Sequence, residues 1–525
     1  MFKAPVETAV LPSPKKEGLG KGTTYHSGCN PSPGRDQRLN DTPNPGPASD
    51  PPRSELSLIG LGWTTGIPKA LPLLPQLTTG LRRALTDPRS FRRQIERMFD
   101  RTILSPARYA LRQDGVSLDA LFDGQRSISR ILAGTLAGDR YEFAPGRIRT
   151  IRVNGKSRDV FSFRLTDLIV QGVVTEVIAE ATRPLLSPRL YSYRPKVSGF
   201  HAVFDFAQFV RRHRKSLTDP RRRGLYVIRR DVDSYTDSIP VDPASPIWNM
   251  LFRLLGRTDG RLPSADRRIV EDVIRPLVEW KDGGPVRLIR GVPTGQPISC
   301  VLFNFYLHEL DRLLEAVPGG FYARYSDDIL FAHPDALTVR QAWRTIESEL
   351  ARLGLRLKPE KSLDLFLTPA GRSSDAWPEA RGSSAVPFLG TDIEADGTIA
   401  LDRVKTRSLL RDLADRAGRA ARALHGQPPE VIGRTVCAVL NRALCSEAAL
   451  FRQRSADILR HIVTDRSHLR HLDLLIARIV ARVVTGEAGT RAFRTAPPAR
   501  IRREWGLDSL VQDRNKPIRK TRRPG

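Results

Sequence analysis

The sequence predicts an α+β fold, in which short strands carry charged residues and amphipathic helices lie between them. Residues 147–163 alternate apolar and polar side chains around an Asn-Gly dipeptide, which predicts a hairpin of basic strands. Residues 225–231 are an apolar run that ends in an aspartate. Residues 324–331 place two adjacent aspartates in a tight turn between aromatic and apolar strands. Apolar residues at three- and four-residue spacing before and after these strands predict helices.

Two segments precede the strands. Residues 1–55 hold ten of the 40 prolines among Gly, Ser and Asn, so we expect a disordered, Pro/Gly-rich N-terminus. In residues 56–140, Phe91, Ile95 and Phe99 recur at helical spacing among Arg and Asp. This pattern predicts a basic helical N-terminal extension.

The remaining chain divides by its motifs. Residues 141–230 hold the basic hairpin and two predicted helices, and residues 231–400 hold the acidic motifs. Residues 401–490 are Arg-rich amphipathic helices, which suit either a grip on nucleic-acid phosphates or an ordinary helical domain. Residues 491–525 are a basic tail that we expect to bind RNA or to be disordered.

The charge of the chain favours a polyanionic partner. It has 85 Lys+Arg and 57 Asp+Glu, which gives a formal net charge of +28. Such a field favours nucleic acid, although a solvated surface in an Arg-rich protein would give the same count. An acidic motif within so basic a chain favours the nucleic-acid interpretation.

Cysteine content and hydropathy bear on the compartment. The four cysteines are too few and too scattered for a disulfide framework or a paired zinc site. The sequence contains no run of about 18 uncharged apolar residues, so it predicts no membrane span. The N-terminus lacks the pattern of a signal peptide. We therefore expect a cytoplasmic protein with no membrane association.

The turn that contains Asp327 and Asp328 is the first candidate site. Two like charges beside Tyr325 and Phe331 are unfavourable unless a cation shares the site, and a divalent metal ion is the obvious candidate. Upstream, an apolar strand delivers Asp231 at its end, which is a rigid way to place a metal ligand. Taken alone, Asp231 could equally be a helix or turn cap.

Further motifs lie between and after these aspartates. Residues 291–295 form a Gly-x-Pro-x-Gly loop, whose glycines permit close backbone approach, ahead of a helix with Ser299 and Asn304. Lys361 follows a Gly-Leu turn, and residues 388–390 read Phe-Leu-Gly. Each motif is weak alone, but their order and spacing are specific.

That order resembles the palm of reverse transcriptases. Upstream, residues 155–158 and 193–195 resemble the fingers of bacterial enzymes such as group II intron maturases, retron enzymes and abortive-infection enzymes. The resemblance covers residues 140–395 approximately. It implies a right-hand polymerase with fingers (141–230), a palm of antiparallel sheet packed on helices (231–400) and a helical thumb (401–490).

The resemblance also implies a catalytic centre. Asp231 and Asp327 would bridge two Mg²⁺ ions, Asp328 would assist, and the backbone carbonyl of Val232 would take a further position. Two such ions activate a 3′-hydroxyl, stabilise the pentacovalent phosphorus and neutralise the pyrophosphate. The expected cofactor is therefore Mg²⁺.

Basic and aromatic residues are assigned to the substrates by the same resemblance. Lys156 and Arg158 of the hairpin would clamp the triphosphate, although a solvated basic hairpin would have the same sequence. Lys361 matches the family's lysine that protonates pyrophosphate, and a surface lysine beside an acidic neighbour is the alternative. Arg194 and Tyr325 are assigned to nucleic-acid binding.

The predicted nucleotide pocket departs from the family pattern at two points. The fifth residue after the first aspartate is usually an aromatic that excludes a 2′-hydroxyl, whereas here it is Thr236, preceded by Tyr235. Either Tyr235 takes over sugar selection or the enzyme tolerates ribonucleotides. In the loop, Thr294 replaces the family's glutamine before Gly295, so we expect fidelity or template dependence to differ.

The predicted function is RNA-directed DNA synthesis, with an RNA template, dNTPs and a DNA product as partners. No endonuclease motif follows the thumb, and the only Val-Thr-Gly triplet lies far downstream at residues 484–486. The chain therefore resembles a stand-alone bacterial enzyme that acts with a structured non-coding RNA, a class associated with antiphage defence. Two alternatives stay open: template-independent or protein-primed DNA synthesis on the same fold, and an RNA-binding, maturase-like protein.

Overall fold

Helices and short strands alternate along the chain, as the α+β prediction requires. The computed structural model describes residues 80–102, 112–113, 116–153, 156–216, 224–256, 262–279, 284–445, 458–459 and 461–513. The predicted disordered N-terminus at residues 1–55 and the last part of the basic tail lie outside these residues.

The helices contribute most of the described residues. They are, in chain order, α1 (Leu81–Thr86), α2 (Pro88–Thr102), α3 (Leu118–Asp123), α4 (Gln125–Ala137), α5 (Leu165–Thr182), α6 (Gly199–Lys215), α7 (Tyr235–Ser238), α8 (Pro246–Leu255), α9 (Ser264–Ile274), α10 (Ser299–Phe305), α11 (His308–Glu315), α12 (Ala336–Arg352), α13 (Arg403–Ala423), α14 (Pro429–Cys445), α15 (Arg466–Thr485), α16 (Ala492–Thr495), α17 (Pro498–Arg503) and α18 (Leu510–Asp513). Within the part of the chain that the structure describes, none of the helices combines the length and the apolar character needed to cross a bilayer.

The strands are short, and most of them join one of three sheets. They are β1 (Arg112–Gln113), β2 (Val116–Ser117), β3 (Gly146–Val153), β4 (Lys156–Ser162), β5 (Leu225–Asp231), β6 (Leu277–Glu279), β7 (Pro285–Arg287), β8 (Phe321–Tyr325), β9 (Asp328–His333), β10 (Leu363–Leu367), β11 (Arg381–Ser383), β12 (Ala385–Phe388), β13 (Thr391–Glu394) and β14 (Ile399–Leu401). The mixture of helices and sheets confirms the predicted α+β class.

A five-stranded sheet forms the centre of the fold, in the order β11-β10-β5-β9-β8. Neighbouring strands are antiparallel except β10 and β11, which are parallel. The apolar strand β5 lies in the middle, and nearly all of its residues are buried. The apolar residues 225–228 at the start of β5 suit this position, because both faces of the strand are covered.

Helices cover both faces of this sheet. On one face, Phe206 of α6 lies in the same core as Val227 of β5 and Leu330 of β9. On the other face, α12 contacts β5 and β9, and its Trp343 ring lies 4.6 Å from the guanidinium of Arg230. Coverage of both faces holds the strand ends firmly, so side chains at those ends have fixed positions.

A second sheet, in the order β4-β3-β6-β7, contains the predicted basic hairpin. β3 and β4 are antiparallel with Ile151 opposite Arg158, as the alternating sequence predicts. β6, which follows Asp231 in the sequence, pairs in parallel with β3. The sequence does not indicate this partner, because a three-residue strand is too short to display a period.

The helix after the hairpin, α5, is buried around nearly its whole circumference. A helix that is apolar on every side needs neighbours all round, and α1 and α2 supply part of that cover. Gln94 of α2 also donates a hydrogen bond to Glu176 of α5 at 2.7 Å. The helices α1 through α4 lie in the described part of residues 56–140, where helical spacing is predicted.

A small antiparallel sheet, β12-β13-β14, precedes three long helices. Phe388 of β12, Leu440 of α14 and Ile476 of α15 belong to one hydrophobic core, which continues to the first face of the central sheet. The helices α13, α14 and α15 correspond to the Arg-rich helices expected in residues 401–490. The division of the chain into fingers, palm and thumb at the stated boundaries stays a prediction.

Candidate active site

The three predicted catalytic aspartates meet where β5 ends and β9 begins. Asp231 is the last residue of β5 and lies directly opposite Asp328, the first residue of β9. Asp327 lies in the turn between β8 and β9, and its carbonyl accepts a hydrogen bond from the Val232 N–H at 3.0 Å. Strand pairing therefore joins residues that are about a hundred positions apart in the sequence.

The backbone around Val232 is held from both sides. The N–H of Lys358 donates to the carbonyl of Asp231 at 2.8 Å, and the N–H of Asp233 donates to the carbonyl of Arg356 at 2.8 Å. In an extended strand, the N–H and the carbonyl of one residue point to the same side. Val232 is bridged to Leu357 on its other side, so we expect its carbonyl to point, like its N–H, toward the turn with Asp327, while its role as a metal ligand stays a prediction.

Ser326 adopts a left-handed backbone conformation, with φ of 59°. Its N–H donates to Ser192 Oγ at 2.9 Å, and that hydroxyl donates in turn to Asn304 Oδ1 at 2.9 Å. Asn304 Nδ2 closes the network on the Ser192 carbonyl at 2.8 Å. Three chain segments thus hold the strained turn that presents Asp327.

A buried ion pair lies beneath the same turn. Arg324 and Asp311 have no exposed side-chain surface, and Arg324 Nε and Nη2 donate to the two carboxylate oxygens at 2.6 and 2.7 Å. Arg324 Nη1 also donates to the Ser326 carbonyl at 3.1 Å. Burial lowers the pKa of Arg324, but the charge and hydrogen bonds of Asp311 more than offset this and raise it overall. The guanidinium is therefore a permanent cation that ties the turn to α11.

Two further cations neutralise the aspartates themselves. Arg229 donates to both oxygens of Asp328, from Nε at 2.7 Å and from Nη2 at 2.6 Å. Lys361 Nζ donates to Asp231 Oδ2 at 2.7 Å, and this bond raises the pKa of Lys361. Burial raises the pKa of Asp327, and the charges of Asp231 and Asp328 raise it further. A cation near Asp327 would relieve this repulsion.

The donor set suits a hard divalent cation. Among the described residues, no three acidic, histidine or cysteine side chains already lie in a metal-binding arrangement, while Lys361 and Arg229 hold oxygens of Asp231 and Asp328. The carboxylates of Asp231 and Asp327 and the carbonyl of Val232 are oxygen ligands of the type that Mg²⁺ takes. These three groups could hold the ion once the single lysine contact is released.

The Gly/Pro loop contacts the basic hairpin. The N–H of Phe161 in β4 donates to the carbonyl of Thr294 at 3.0 Å. Gly295 has φ of 114°, and a Cβ there would lie 2.6 Å from the carbonyl oxygen of Phe161. Close approach at this glycine is therefore to β4, the strand that begins with Lys156 and contains Arg158. Thr294 itself is exposed.

Tyr235 and Thr236, the two candidates for sugar selection, have different environments. Tyr235 is 2% exposed, and its hydroxyl donates to the Phe303 carbonyl at 2.7 Å. Thr236 is half-buried, and its carbonyl accepts from the N–H of Val292 in the Gly/Pro loop at 2.9 Å. Tyr235 is thus a core residue, and Thr236 is the member of the pair that reaches the surface.

The two residues assigned to nucleic-acid binding are both half-buried. Arg194 Nη1 donates to the carbonyls of Ser187 at 2.7 Å and Leu190 at 3.0 Å, which gives this arginine a role in holding its own loop. Tyr325 ends β8 opposite Asp328 and packs against the core of the central sheet.

Several supporting residues escaped the sequence reasoning. Arg229 lies two positions before Asp231, and this spacing puts both on one face of β5. Arg324 lies within a buried apolar strand, where an arginine requires an acidic partner. Both signals are present in the sequence, but neither identifies Asp328 or Asp311 as the partner.

A family model covers the segment that contains these motifs. Residues 158–393 match the model described as "Reverse transcriptase (RNA-dependent DNA polymerase)". This segment, which is less than half of the chain, is therefore similar to reverse transcriptase domains. The predicted resemblance to reverse transcriptases is confirmed for this segment.

A curated protein and several solved structures are similar to the chain. The "Uncharacterized 91 kDa protein in cob intron" of Schizosaccharomyces pombe is 24% identical over 209 residues, which are 40% of this chain and 22% of that protein's length. Apo telomerase from Candida tropicalis, truncated from the C-terminal domain, aligns with a TM-score of 0.38 and 16% identity over 50% of this chain and 55% of that chain. Telomerase from Candida albicans, in complex with the TWJ fragment of telomeric RNA, aligns with a TM-score of 0.35 and 12% identity over 72% of this chain and 66% of that chain.

Proposed function

We propose that this protein is an RNA-directed DNA polymerase that extends a primer with dNTPs and uses two Mg²⁺ ions. One observation carries the proposal: within a segment that matches reverse transcriptases, Asp231 lies opposite Asp328, and the Val232 N–H donates a hydrogen bond to the Asp327 carbonyl. Nucleotidyl transfer needs carboxylates at this density to hold divalent cations against phosphate oxygens.

Each residue of the site has a role in this reaction. Asp231, Asp327 and the Val232 carbonyl bind magnesium, which when bound supplies Lewis-acid stabilisation of the attacking and leaving oxygens. Lys361 leaves Asp231 and donates a proton to the departing pyrophosphate. Exposure and charge both support that role. The Lys361 side chain is 51% exposed, and the carboxylate of Asp231 raises its pKa, so that it remains protonated.

The fingers hairpin and the Gly/Pro loop would form the nucleotide pocket. Lys156 and Arg158 clamp the triphosphate, and Thr294 and Gly295 lie beside the incoming base. The hydrogen bond between Phe161 and Thr294 supports this arrangement, because it ties the loop to the strand that carries both cations. Thr236 takes the position next to the sugar, while Arg194 and Tyr325 support the template-primer.

We further propose a stand-alone bacterial enzyme that works with a structured non-coding RNA and contributes to antiphage defence. A net charge of +28 supports the RNA partner, because phosphate neutralisation drives such binding. The resemblance to stand-alone bacterial enzymes supports the biological role.

A primer-extension assay tests the polymerase. The double variant Asp327→Asn/Asp328→Asn should lose dNTP incorporation on an RNA template while it keeps RNA affinity, because affinity for the RNA backbone rests on basic residues rather than on these carboxylates. Asp375→Asn, at an exposed loop residue, is the matched control and should keep both properties. Unchanged incorporation by the double variant would refute the proposal.

The second candidate is an RNA-binding, maturase-like protein. The similarity to a protein located in the cob intron favours it. Sequencing the nucleic acid that co-purifies with the wild-type protein separates the possibilities: copied cDNA supports templated synthesis, and bound RNA alone supports the maturase-like function. Untemplated polymer attached to a side chain would instead support protein-primed synthesis.

A further inference from the structure

Arg229 makes an unusually complete contact with one of the three aspartates. It lies two residues before Asp231 on β5, so both side chains are on one face of the strand. Asp328 is directly opposite Asp231 on β9, which places it diagonally from Arg229 and within reach of a long side chain. Nε and Nη2 of Arg229 reach Oδ1 and Oδ2 of Asp328 at 2.7 and 2.6 Å.

This pairing uses both oxygens of Asp328. A guanidinium fork that meets a carboxylate with two parallel hydrogen bonds is among the stronger polar contacts in proteins. Its side chains are only 24% and 11% exposed, so water competes weakly for either partner. Arg229 Nη1 donates a third bond to the Pro387 carbonyl of β12 at 3.2 Å, which restricts the guanidinium further.

The lysine contact at the neighbouring aspartate differs in each of these respects. Lys361 reaches only Oδ2 of Asp231, and 51% of its side chain is exposed. An ammonium on a flexible stem can rotate away at low cost, whereas a guanidinium held at three points cannot. An arriving cation can thus displace Lys361 from Asp231 more easily than Arg229 from Asp328.

We propose that Arg229 is a positioning residue that keeps Asp328 in a permanent ion pair, so that Asp231 and Asp327 alone supply the metal-binding carboxylates. In this arrangement Asp328 acts as the counter-ion of Arg229 and fixes the start of β9. The third bond of Arg229 links the site to β12. The inference rests on the proposed polymerase function but refines the role of Asp328 within it.

Charge balance gives the proposal a specific consequence. Arg229→Gln leaves the Asp328 carboxylate without its counter-ion beside two other carboxylates, and Asp328→Asn leaves the guanidinium without one beside the metal site. The double variant carries neither unpaired charge. Each single variant should therefore lose about 30-fold or more in kcat/KM, and the double variant should be at least about tenfold more active than either.

The alternative, in which Asp328 is a direct metal ligand, predicts no rescue in the double variant. Removing Asp328 would then abolish the reaction whether or not Arg229 is present. A double variant as inactive as Asp327→Asn would overturn the proposal. The combination Arg229→Gln/Asp327→Asn is the matched control, and it should show no rescue because Asp327 remains essential.

Metal binding supplies a readout that does not depend on polymerisation. Mn²⁺ titrated into the protein without nucleic acid, followed by calorimetry, should bind more tightly to Arg229→Gln and more weakly to Asp328→Asn than to the wild type. The double variant should bind Mn²⁺ within about threefold of the wild-type affinity, because the two charge changes cancel. Loss of Mn²⁺ binding in the double variant would contradict the inference.

Urea unfolding without metal tests the ion pair itself. A double-mutant cycle on Arg229 and Asp328 should give a coupling of at least about tenfold in the folding equilibrium, or 1.4 kcal/mol. The surface pair Arg340 and Glu379, exposed over 36% and 74%, is the control and should couple by less than about threefold. Equal coupling in both pairs would overturn the proposal.

These measurements distinguish a failure of the proposed polymerase function from a failure of the role proposed for Arg229. If the wild-type protein fails to incorporate dNTPs, the proposed function fails, while the unfolding cycle and the Mn²⁺ titration still report on Arg229. If Arg229→Gln does not fold, Arg229→Lys keeps the charge but lacks the fork. That variant should then show a loss of kcat/KM with a partial loss of coupling, and wild-type values for both would refute the positioning role.

Discussion

Replacing Asp311 with asparagine would test how strongly the site depends on the ion pair beneath its acidic turn. Asp311 accepts hydrogen bonds from Arg324 at 2.6 and 2.7 Å and from the Tyr322 hydroxyl at 2.5 Å, and its side chain is wholly buried. Asparagine keeps the shape but leaves the guanidinium without a counter-charge. Breaking one side of a buried ion pair costs about 3–5 kcal/mol, so we expect the free energy of unfolding to fall by about 4 kcal/mol.

Urea unfolding followed by far-UV circular dichroism measures this change, and Asp364→Asn is the matched control. Asp364 pairs with another buried guanidinium, that of Arg230, but is itself 25% exposed. Because water can replace part of that contact, the control should lose about 1–2 kcal/mol. The reasoning is refuted if Asp311→Asn costs no more than Asp364→Asn. At temperatures where it stays folded, Asp311→Asn should also reduce kcat, since Arg324 no longer fixes the turn.

Three further outcomes are expected. Gly295→Ala should lower stability by about 1–3 kcal/mol and reduce dNTP incorporation, because φ of 114° is unfavourable for alanine and its Cβ would meet the Phe161 carbonyl at 2.6 Å. Ser192→Ala should cost about 1–3 kcal/mol in urea unfolding and raise the KM for dNTP, because the Ser326 N–H loses its buried acceptor. Thr236→Phe should lower the ratio of ribonucleotide to deoxyribonucleotide incorporation by about tenfold or more, because a ring at that position would fill the space of a 2′-hydroxyl.

Matched variants accompany these three. Gly134→Ala in α4, where a Cβ meets nothing within 4 Å, should gain up to about 1 kcal/mol, and a loss as large as that of Gly295→Ala would contradict the close-approach argument. Ser348→Ala, at an exposed serine of α12, should leave stability and KM unchanged. Tyr235→Phe should leave sugar discrimination unchanged, because its hydroxyl is bonded inside the core. A change in discrimination with Tyr235→Phe alone would assign the selection to that residue instead.

Local sequence and motif order both single out Asp231, Asp327 and Asp328, and the structure brings them together, while their catalytic role stays a prediction. Asp231 ends one strand, Asp327 lies in the turn between two more, and Asp328 begins the second of these. The hairpin register around Arg158 was also predictable, since alternation with a tight turn determines which residues face each other. The contacts of Arg194 with carbonyls of its own loop were not predictable, because they depend on how that loop folds, and its assignment to nucleic acid stays a prediction.

The sequence by itself determined the chemical character of this protein: its positive charge, its three candidate catalytic carboxylates, its glycine loop and the order in which these occur. Only the tertiary structure decided which cation accompanies each carboxylate, with Arg229 on Asp328 and Lys361 on Asp231. It also decided that Tyr235 is a core residue. The physical reason is that partners across a sheet are set by strand register and by what covers each face, and both depend on residues far away in the chain.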